Sequence, residues 1–441
     1  MKNWKLGIMF HLIYLIIFWH ITSGQSALSV NLPDSLVYSV SSTSSNRVKL
    51  YSELVNWDIN DNLNYKLNED NEENWENSFW PMELIRYRSA YAENKLKEAF
   101  IHIQERTAYF TRGLLEVIYA NYPKEFMNEV TRLLTKNDDP EIFSLCAEYL
   151  LRSYMNKGMN AFLLHEMNRK FPKDSIKLNP VLKMLNERLI EFNTNVIRPN
   201  IAYFLSTSFA PGNTVIYSFQ RPNRLYPGLV IVRKPDGSLV EGNNGHLFCV
   251  PQLALSISNL PFYLKNGNTP QGIYKMNGFE VSGSEFIGPT ENIQLSLPFE
   301  IPVDSFFMLS DSLKNVWTFN KYRKFLPVGW QGYSSIYEAY YAGKAGRTAI
   351  IAHGTTIDPT YYKGEPYFPE TPSLGCLCAS ETWAASNGRR LESDQQKLVN
   401  AIRETGRTTG YCVVLNLSNR QRPVFESDII KIIKNAKIPI K

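Results

Sequence analysis

The spacing of apolar residues along the chain changes near residue 196. Before that point, apolar side chains recur with the period of an α-helix. One predicted helix face consists of Phe126, Met127, Val130, Leu133 and Leu134. Asp139-Pro140 and Asn179-Pro180 each precede another such pattern, and an Asp or Asn followed by Pro is typical of a helix start. Residues 81–195 are therefore predicted to form an α-helical bundle or repeat domain.

Beyond residue 196 the apolar runs become short, β-branched and aromatic, and Gly and Pro separate them. The predicted strands are 229–232, 348–352 and 411–417. Pro235-Asp236-Gly237 is predicted to be a turn, and a helix is expected near residues 393–404. We therefore predict an α+β fold, in which the helical domain is followed by a β-rich domain over residues 196–441.

The first 80 residues differ from both domains. Residues 1–24 have the layout of a secretory signal peptide, with two Lys, an apolar run and small residues before Gln25. The apolar run is shorter than the ~20 residues that cross a bilayer. We expect export to the periplasm or cell envelope, with no stable membrane span after cleavage. Residues 25–80 are Ser-rich and then Asn- and Glu-rich, which predicts a linker or irregular acidic segment.

Composition excludes several classes of protein. Apolar residues make up 44% of the 441 residues and charged residues 20%, as in ordinary globular proteins. The net charge of +5 is small and dispersed, so we expect no nucleic-acid partner. Five Cys are too few for a disulfide scaffold. Whether Cys249 and Cys412 pair with each other stays open at this point.

One Cys and one His stand in a context that favours catalysis. His353 ends an apolar strand, where a rigid support can project its side chain into a cleft. Cys376 follows Gly375, which permits a close approach of the backbone and a turn whose N–H groups could stabilise an oxyanion. A thiol with a pKa of about 8.5 needs a base to become a nucleophile. Cys376 is therefore the candidate nucleophile and His353 the candidate base.

These residues resemble a known family. His353-Gly354-Thr355 followed by Ser373-Leu374-Gly375-Cys376 is similar to the motif of the YkuD-like L,D-transpeptidases, which act on the bacterial cell wall. The run 268–274, Asn-Thr-Pro-Gln-Gly-Ile-Tyr, resembles a second element of that family. The resemblance covers roughly 213–420, about half of the chain, and leaves the helical domain outside it.

The resemblance implies a β-sandwich catalytic domain and acyl transfer on peptidoglycan stem peptides. Cys376 would form the acyl-enzyme, His353 would be the general base, and the carbonyl of Gly354 would orient the imidazole. Ser373 and Gly375, with Thr355, would shape the substrate pocket and the oxyanion site. No metal and no cofactor are implied.

Other features leave alternatives open. Arg347 lies beside the His353 strand and could bind a stem-peptide carboxylate, because Arg makes bidentate contacts with carboxylates. Leu374 and Cys378 stand where the family usually has polar residues. The alternatives are an L,D-carboxypeptidase, in which water accepts the acyl group, and an inactive domain that binds the cell wall. The helical domain could recruit an envelope protein.

Overall fold

The computed structural model describes residues 36–191, 197–242, 245–309 and 316–441. The predicted signal peptide, residues 1–24, lies outside these ranges. Within them, no helix combines the length and the apolar character that crossing a membrane requires.

Helices make up most of the chain between residues 44 and 190. They are α1 Ser44–Glu53, α2 Asn62–Asn64, α3 Glu72–Leu84, α4 Ala90–Ala99, α5 Ala108–Asn121, α6 Met127–Lys136, α7 Pro140–Ser153, α8 Lys157–Lys170, α9 Lys173–Leu178 and α10 Pro180–Ile190, with a π-helical stretch at Leu54–Asp61. The side chains of Asp139 and Asn179 each accept two backbone N–H groups at the starts of α7 and α10. The predicted helix starts are confirmed at both positions.

The segment expected to be irregular is largely helical from residue 44 onward. Leu54, Ile59, Leu63 and Trp75 are buried in the same apolar core as the later helices. The indole N–H of Trp75 also donates to the carbonyl of Tyr65 at 3.1 Å. The acidic composition of this segment concealed its apolar positions, which pack inward while the acids lie mostly outside.

The rest of the chain is built on one mixed sheet. Its strands are β1 Thr214–Gln220, β2 Gly228–Arg233, β3 Val250–Gln252, β4 Gly272–Glu280, β5 Asn292–Ser296, β6 Ile351–His353, β7 Leu377–Cys378 and β10 Gly410–Asn416, in the spatial order β3-β2-β1-β10-β4-β5-β6-β7. Strands β8 Glu381–Trp383 and β9 Arg390–Ser393 form a separate hairpin. Together with the helices this confirms the α+β class.

The two ends of the sheet order meet. Leu253, the residue after β3, bridges antiparallel to Cys378 on β7. Their backbones exchange two hydrogen bonds, each 2.8 Å long. Strand β3 therefore pairs with β2, and Leu253, which follows β3, pairs with β7. The sheet closes on itself through this contact. This closure brings the strands that carry the candidate site next to the residues that follow β3.

Helices cover the sheet, and strands β1 and β10 are buried along their whole length. These helices are α11 Ala202–Leu205, α12 Val303–Phe307, α13 Phe319–Phe325, α14 Glu338–Lys344, α15 Asp394–Glu404 and α16 Glu426–Ala436. Alternate residues of β1 and β10 belong to two different apolar cores, as the two-residue period of a strand requires. The strand predicted at 348–352 begins only at Ile351, because Ala349 has a φ of 59° and is not extended.

A loop of the sheet region packs into the apolar core of the helical region. Leu260, Tyr263 and Leu264, which lie between β3 and β4, pack with the buried residues of the helices. The hydroxyl of Tyr362 donates to the carbonyl of Leu84 on α3 at 2.8 Å. The contacts between the two regions therefore include a loop of the sheet region that lies in the helical core, while the buried residues on the two faces of the sheet all come from residue 201 onward.

We expect Leu264→Ala to lower the free energy of unfolding by about 2–5 kcal/mol, because Leu264 is 1% exposed and its removal leaves a cavity. Leu391→Ala is the control, since Leu391 is 50% exposed on β9. Urea unfolding followed by circular dichroism measures both. Docking of this loop in the helical core predicts one transition that shifts as a whole. Two transitions, with only one of them shifted, would contradict it.

Candidate active site

Adjacent parallel strands carry the two candidate catalytic residues. Ala352 pairs with Leu377 and His353 pairs with Cys378. Cys376 lies just before β7, beside Ile351, whose N–H contacts the sulfur at 3.5 Å. His353 and Cys378 point to one face of the sheet, and the same register places Cys376 opposite Ile351, about 6.6 Å along the strands from His353. Ala352 and Leu377 point to the other face, into the core beneath α15.

The imidazole of His353 is buried and oriented. Only 4% of His353 is exposed, and its Nδ1 lies 2.5 Å from the carbonyl oxygen of Gly354. Because a carbonyl only accepts, Nδ1 carries the proton in this contact and Nε2 is the basic nitrogen. Burial lowers the pKa of His353, so the ring is neutral at neutral pH. The contact between the ring and Gly354 is the expected one, and its role in catalysis stays a prediction.

The thiol of Cys376 is also neutral at neutral pH. Partial burial raises the pKa of Cys376 to about 11, against smaller lowering effects of the Ile351 N–H group and the Arg347 guanidinium. The thiol donates toward the carbonyl of Ala349 at 3.6 Å. The site therefore begins as a neutral thiol and a neutral imidazole, which is not the thiolate–imidazolium pair of a permanently activated cysteine.

Ser373 and Gly375 build the turn that presents Cys376. The backbone N–H of Cys376 donates to Ser373 Oγ at 2.9 Å, and Ser373 Oγ donates to the carbonyl of Cys376 at 3.2 Å. Gly375 has a φ of 104°, and a Cβ there would overlap the carbonyl oxygen of Gly267. Only Gly fits this position without strain. Ser373 Oγ thus already accepts a hydrogen bond from the backbone N–H of Cys376, the group that commonly stabilises the oxyanion beside a Cys nucleophile.

Arg347 lies at the site, and its guanidinium is hydrogen-bonded to backbone carbonyls. Its Nη1 donates to the carbonyls of Phe262 and of Asn268, the latter at 2.9 Å, and its Nη2 donates to the carbonyl of Gly267 at 2.7 Å. Burial lowers the pKa of Arg347 to about 10. These contacts hold the loop that faces Gly375. Arg347 therefore supplies positive charge near Cys376 while its side chain is committed to backbone carbonyls.

Thr355 belongs to a polar cluster on the other side of His353. Its N–H donates to Glu381 Oε2 at 3.0 Å, and its hydroxyl accepts the hydroxyl of Thr371 at 2.8 Å. Glu381 also accepts the hydroxyls of Thr290 at 2.5 Å and of Ser393 at 2.6 Å. Burial raises the pKa of Glu381 to about 7. Thr355 is thus fixed by neighbouring side chains behind the imidazole.

Glu381 is a site residue that the sequence analysis missed. It packs so closely against Gly354 that a Cβ on residue 354 would overlap its carboxyl group. The Gly after His353 was a usable signal, because a Gly at a strand end indicates that another group approaches the backbone there. The identity of that group depends on the β8–β9 hairpin, which the local sequence does not reveal.

Thr269 brings the third motif segment to the site. Its hydroxyl lies 2.9 Å from the carbonyl oxygen of Gly375 and 3.2 Å from that of Cys376. The segment 268–274, the turn 373–376 and the strand end 353–355 are far apart in sequence, and the structure places the first two in direct contact and the third on the adjoining strand.

The two departures from the family motif have different surroundings. Leu374 is 43% exposed on the outside of the turn. Cys378 is 1% exposed, its sulfur lies 3.8 Å from the hydroxyl of Thr371, and burial raises its pKa. All five cysteines are free, so Cys249 and Cys412 are not paired.

Across the described ranges, no group of three or more His, Cys, Asp or Glu side chains is arranged to hold a metal ion. Comparison with known proteins finds no matching family model, no significantly similar curated protein and no significantly similar solved structure. The residues of this chain and their geometry are therefore the basis on which its function is inferred.

We expect Gly375→Ala to destabilise the chain more than Gly364→Ala. Both Gly have a similar positive φ, 104° and 97°, and an Ala at either costs about 1–2 kcal/mol of backbone strain. A Cβ at 364 meets nothing within 4 Å, whereas one at 375 overlaps the carbonyl of Gly267. The additional loss at 375 should be about 1–3 kcal/mol in urea unfolding. Equal losses would show that the turn is not packed against residue 267.

Proposed function

We propose that this chain is a cysteine-dependent acyltransferase that acts on peptidoglycan stem peptides in the manner of the L,D-transpeptidases. The observation that carries the proposal is the contact of His353 Nδ1 with the Gly354 carbonyl, on the strand that pairs with β7 directly after Cys376. This contact leaves Nε2 as a neutral base, and the register of the paired strands places Cys376 two positions from His353. The contact between Thr269 and the Cys376 turn adds support, because it joins two sequence elements of the resemblance.

The proposed reaction has two steps. His353 Nε2 takes the proton of the Cys376 thiol as the sulfur attacks the carbonyl carbon at the L-centre of a stem peptide. The carbon–sulfur bond forms, the amide C–N bond breaks, and the imidazolium returns its proton to the departing D-residue amine. An amine of a second stem peptide then attacks the thioester, loses a proton through His353, and releases the Cys376 thiol.

The neutral forms of Cys376 and His353 limit how the first proton transfer can occur. Moving the proton from Cys376 to His353 creates two charges in a site that disfavours both. The reaction therefore has to couple proton transfer to attack, so that the charge passes directly to the carbonyl oxygen. An N–H donor for that oxygen has to be a group other than the N–H of Cys376, which Ser373 occupies.

The proposal brings two further expectations with it. Residues 1–24 would direct the chain to the periplasm or cell envelope, where peptidoglycan lies. The closed sheet of residues 214–416 would be a divergent form of the β-sandwich of that family.

A second candidate is an inactive domain that binds the cell wall. The raised pKa of the Cys376 thiol favours it, because a working cysteine nucleophile usually has a lowered pKa. The two candidates differ in one observable, the acylation of Cys376 by a β-lactam that reacts with L,D-transpeptidases.

We expect a carbapenem to form a stable adduct on Cys376 of the mature chain, because a thiol that gives its proton to His353 Nε2 would attack the strained β-lactam carbonyl. Intact-protein mass spectrometry followed by peptide mapping measures it. Cys376→Ser should form no adduct. Cys378→Ser is the matched control and should react like the unsubstituted chain, because Cys378 is buried under Thr371. An adduct on Cys378, or none on the folded chain, would overturn the assignment of Cys376.

We expect the rate of this acylation to persist as the pH falls through 6.5 and to decline only below it. The reaction needs neutral His353, and burial lowers the pKa of His353 beneath its ordinary 6.5. Stopped-flow or mass-spectrometric measurement of the acylation rate between about pH 4.5 and 8 shows the acidic limb of the pH–rate profile. His353→Gln should lower the rate by about 100-fold or more and remove that limb. A limb centred above pH 6.5 would contradict a buried, uncharged base.

A further inference from the structure

One loop lies between the helical region and the candidate nucleophile. We call residues 260–269, which precede β4, the bridging segment. Its Leu260, Tyr263 and Leu264 pack in the core of the helical region. Its other end contacts the turn of Cys376. The bridging segment is therefore in direct contact with both parts of the chain.

On the helical side, a buried carboxylate anchors the segment. The hydroxyl of Tyr263 donates to Glu148 Oε1 on α7 at 2.5 Å. Glu148 is fully buried, and the same oxygen lies 3.2 Å from Nε of Arg188 on α10. Burial raises the pKa of Tyr263, so its hydroxyl keeps the proton that it donates. A second contact runs from Arg112 Nη2 on α5 to the carbonyl of Lys265 at 3.0 Å.

On the site side, the segment fixes the surroundings of the sulfur. Its carbonyls at Phe262, Gly267 and Asn268 accept the guanidinium of Arg347. The carbonyl of Gly267 lies against Gly375, where it leaves no space for a Cβ. The hydroxyl of Thr269 closes the contact on the carbonyls of Gly375 and Cys376.

We propose that Tyr263 and Glu148 are positioning residues for Cys376: α7 anchors the bridging segment, and the segment holds the Cys376 turn and Arg347 beside the half-buried thiol. The docked helices therefore limit the exposure of Cys376. When the anchor is released, the segment moves away from the turn and the thiol becomes more accessible to solvent. The inference uses the proposed function only in taking Cys376 as the reactive thiol.

The test is alkylation of Cys376 by iodoacetamide in the full mature chain, mapped by peptide mass spectrometry from pH 7 to 11.5. Tyr263→Phe removes only the hydroxyl that reaches Glu148. Tyr149→Phe is the matched control. Tyr149 lies on α7 and is buried like Tyr263, and its hydroxyl donates to the carbonyl of Tyr122 at 2.6 Å. The hydroxyl of Tyr149 is hydrogen-bonded to the N–H of Phe126 and the carbonyl of Tyr122, which both lie outside the bridging segment. Cys146, fully buried on α7, reports in the same digest on any opening of the helices.

We expect Tyr263→Phe to raise the alkylation rate of Cys376 at pH 8 by about fivefold or more. The sign follows from burial, which is the largest cause of the raised pKa of Cys376. Greater exposure lowers that pKa from about 11 toward 9.0, so the midpoint of the pH profile moves down and more thiolate is present at pH 8. Tyr149→Phe should leave both the rate and the midpoint of Cys376 unchanged, and Cys146 should stay protected in both variants.

Thr269→Val supplies a second variant from the site side, should Tyr263→Phe fail to fold. It removes the hydroxyl that holds the Cys376 turn, and it should raise the alkylation rate in the same direction. In the double variant the two effects should be less than multiplicative, because both act through one segment. Independent, multiplicative effects would overturn the proposal. So would a Tyr263→Phe rate no higher than the parent rate, or a rise in Cys146 labelling that accompanies the rise at Cys376.

The failure of this inference is separate from the failure of the proposed function. A chain that no carbapenem acylates, but whose Cys376 alkylation responds to Tyr263 and not to Tyr149, would lack the enzymatic activity and keep the coupling. A chain that is acylated on Cys376 equally fast in all these variants, with unchanged alkylation profiles, would keep the activity and lack the coupling.

Discussion

The buried guanidinium of Arg347 binds three carbonyl groups of one loop, and the arrangement of the site depends on that contact. A loop with three inward carbonyls would be costly to bury without donors. Arg347 satisfies them, and in doing so it holds Gly267 against Gly375 and places a positive charge near Cys376. The turn, the loop and the electrostatic environment of the thiol therefore follow from one side chain.

Desolvation is the largest cause of the pKa shifts in the site, where His353 is buried and Cys376 is half-buried. Burial raises the pKa of Cys376 and lowers that of His353, so both groups are held in their neutral forms. Glu381, behind Gly354, is also shifted toward its neutral form. At neutral pH little of the Cys376 thiol is in the thiolate form that reacts with electrophiles. A change in the solvation of the sulfur would change that fraction.

The helical region contributes to the surroundings of the candidate site. Its apolar core includes residues from the loop before β4, and a buried carboxylate on α7 binds a Tyr hydroxyl of that loop. A region that could have been a separate scaffold is thus continuous with the surroundings of the candidate nucleophile. This continuity gives the helices a physical route to influence the thiol, without contacting it themselves.

Local sequence was sufficient for some features of this protein. The caps Asp139 and Asn179 identified helix starts, since a cap acts within three residues of itself. Apolar runs identified β2, β10 and the His353 strand. The family resemblance, and not the residues alone, implied the Gly354 carbonyl that the ring contacts. These are interactions between near neighbours, which the chain makes in any fold that keeps the local conformation.

Other features needed the tertiary structure. Glu381 reaches Gly354 only because the β8–β9 hairpin folds back, and Arg347 is committed to carbonyls of residues about 80 positions earlier. The helices at 44–84 were concealed by an acidic composition, because burial depends on which side each residue faces and not on their average polarity. The sequence by itself determined the element types, the α+β class and the two residues that could react. The tertiary structure alone decided how buried those residues are, and hence their charge, because desolvation and hydrogen bonding are set by groups that the chain brings together from distant positions.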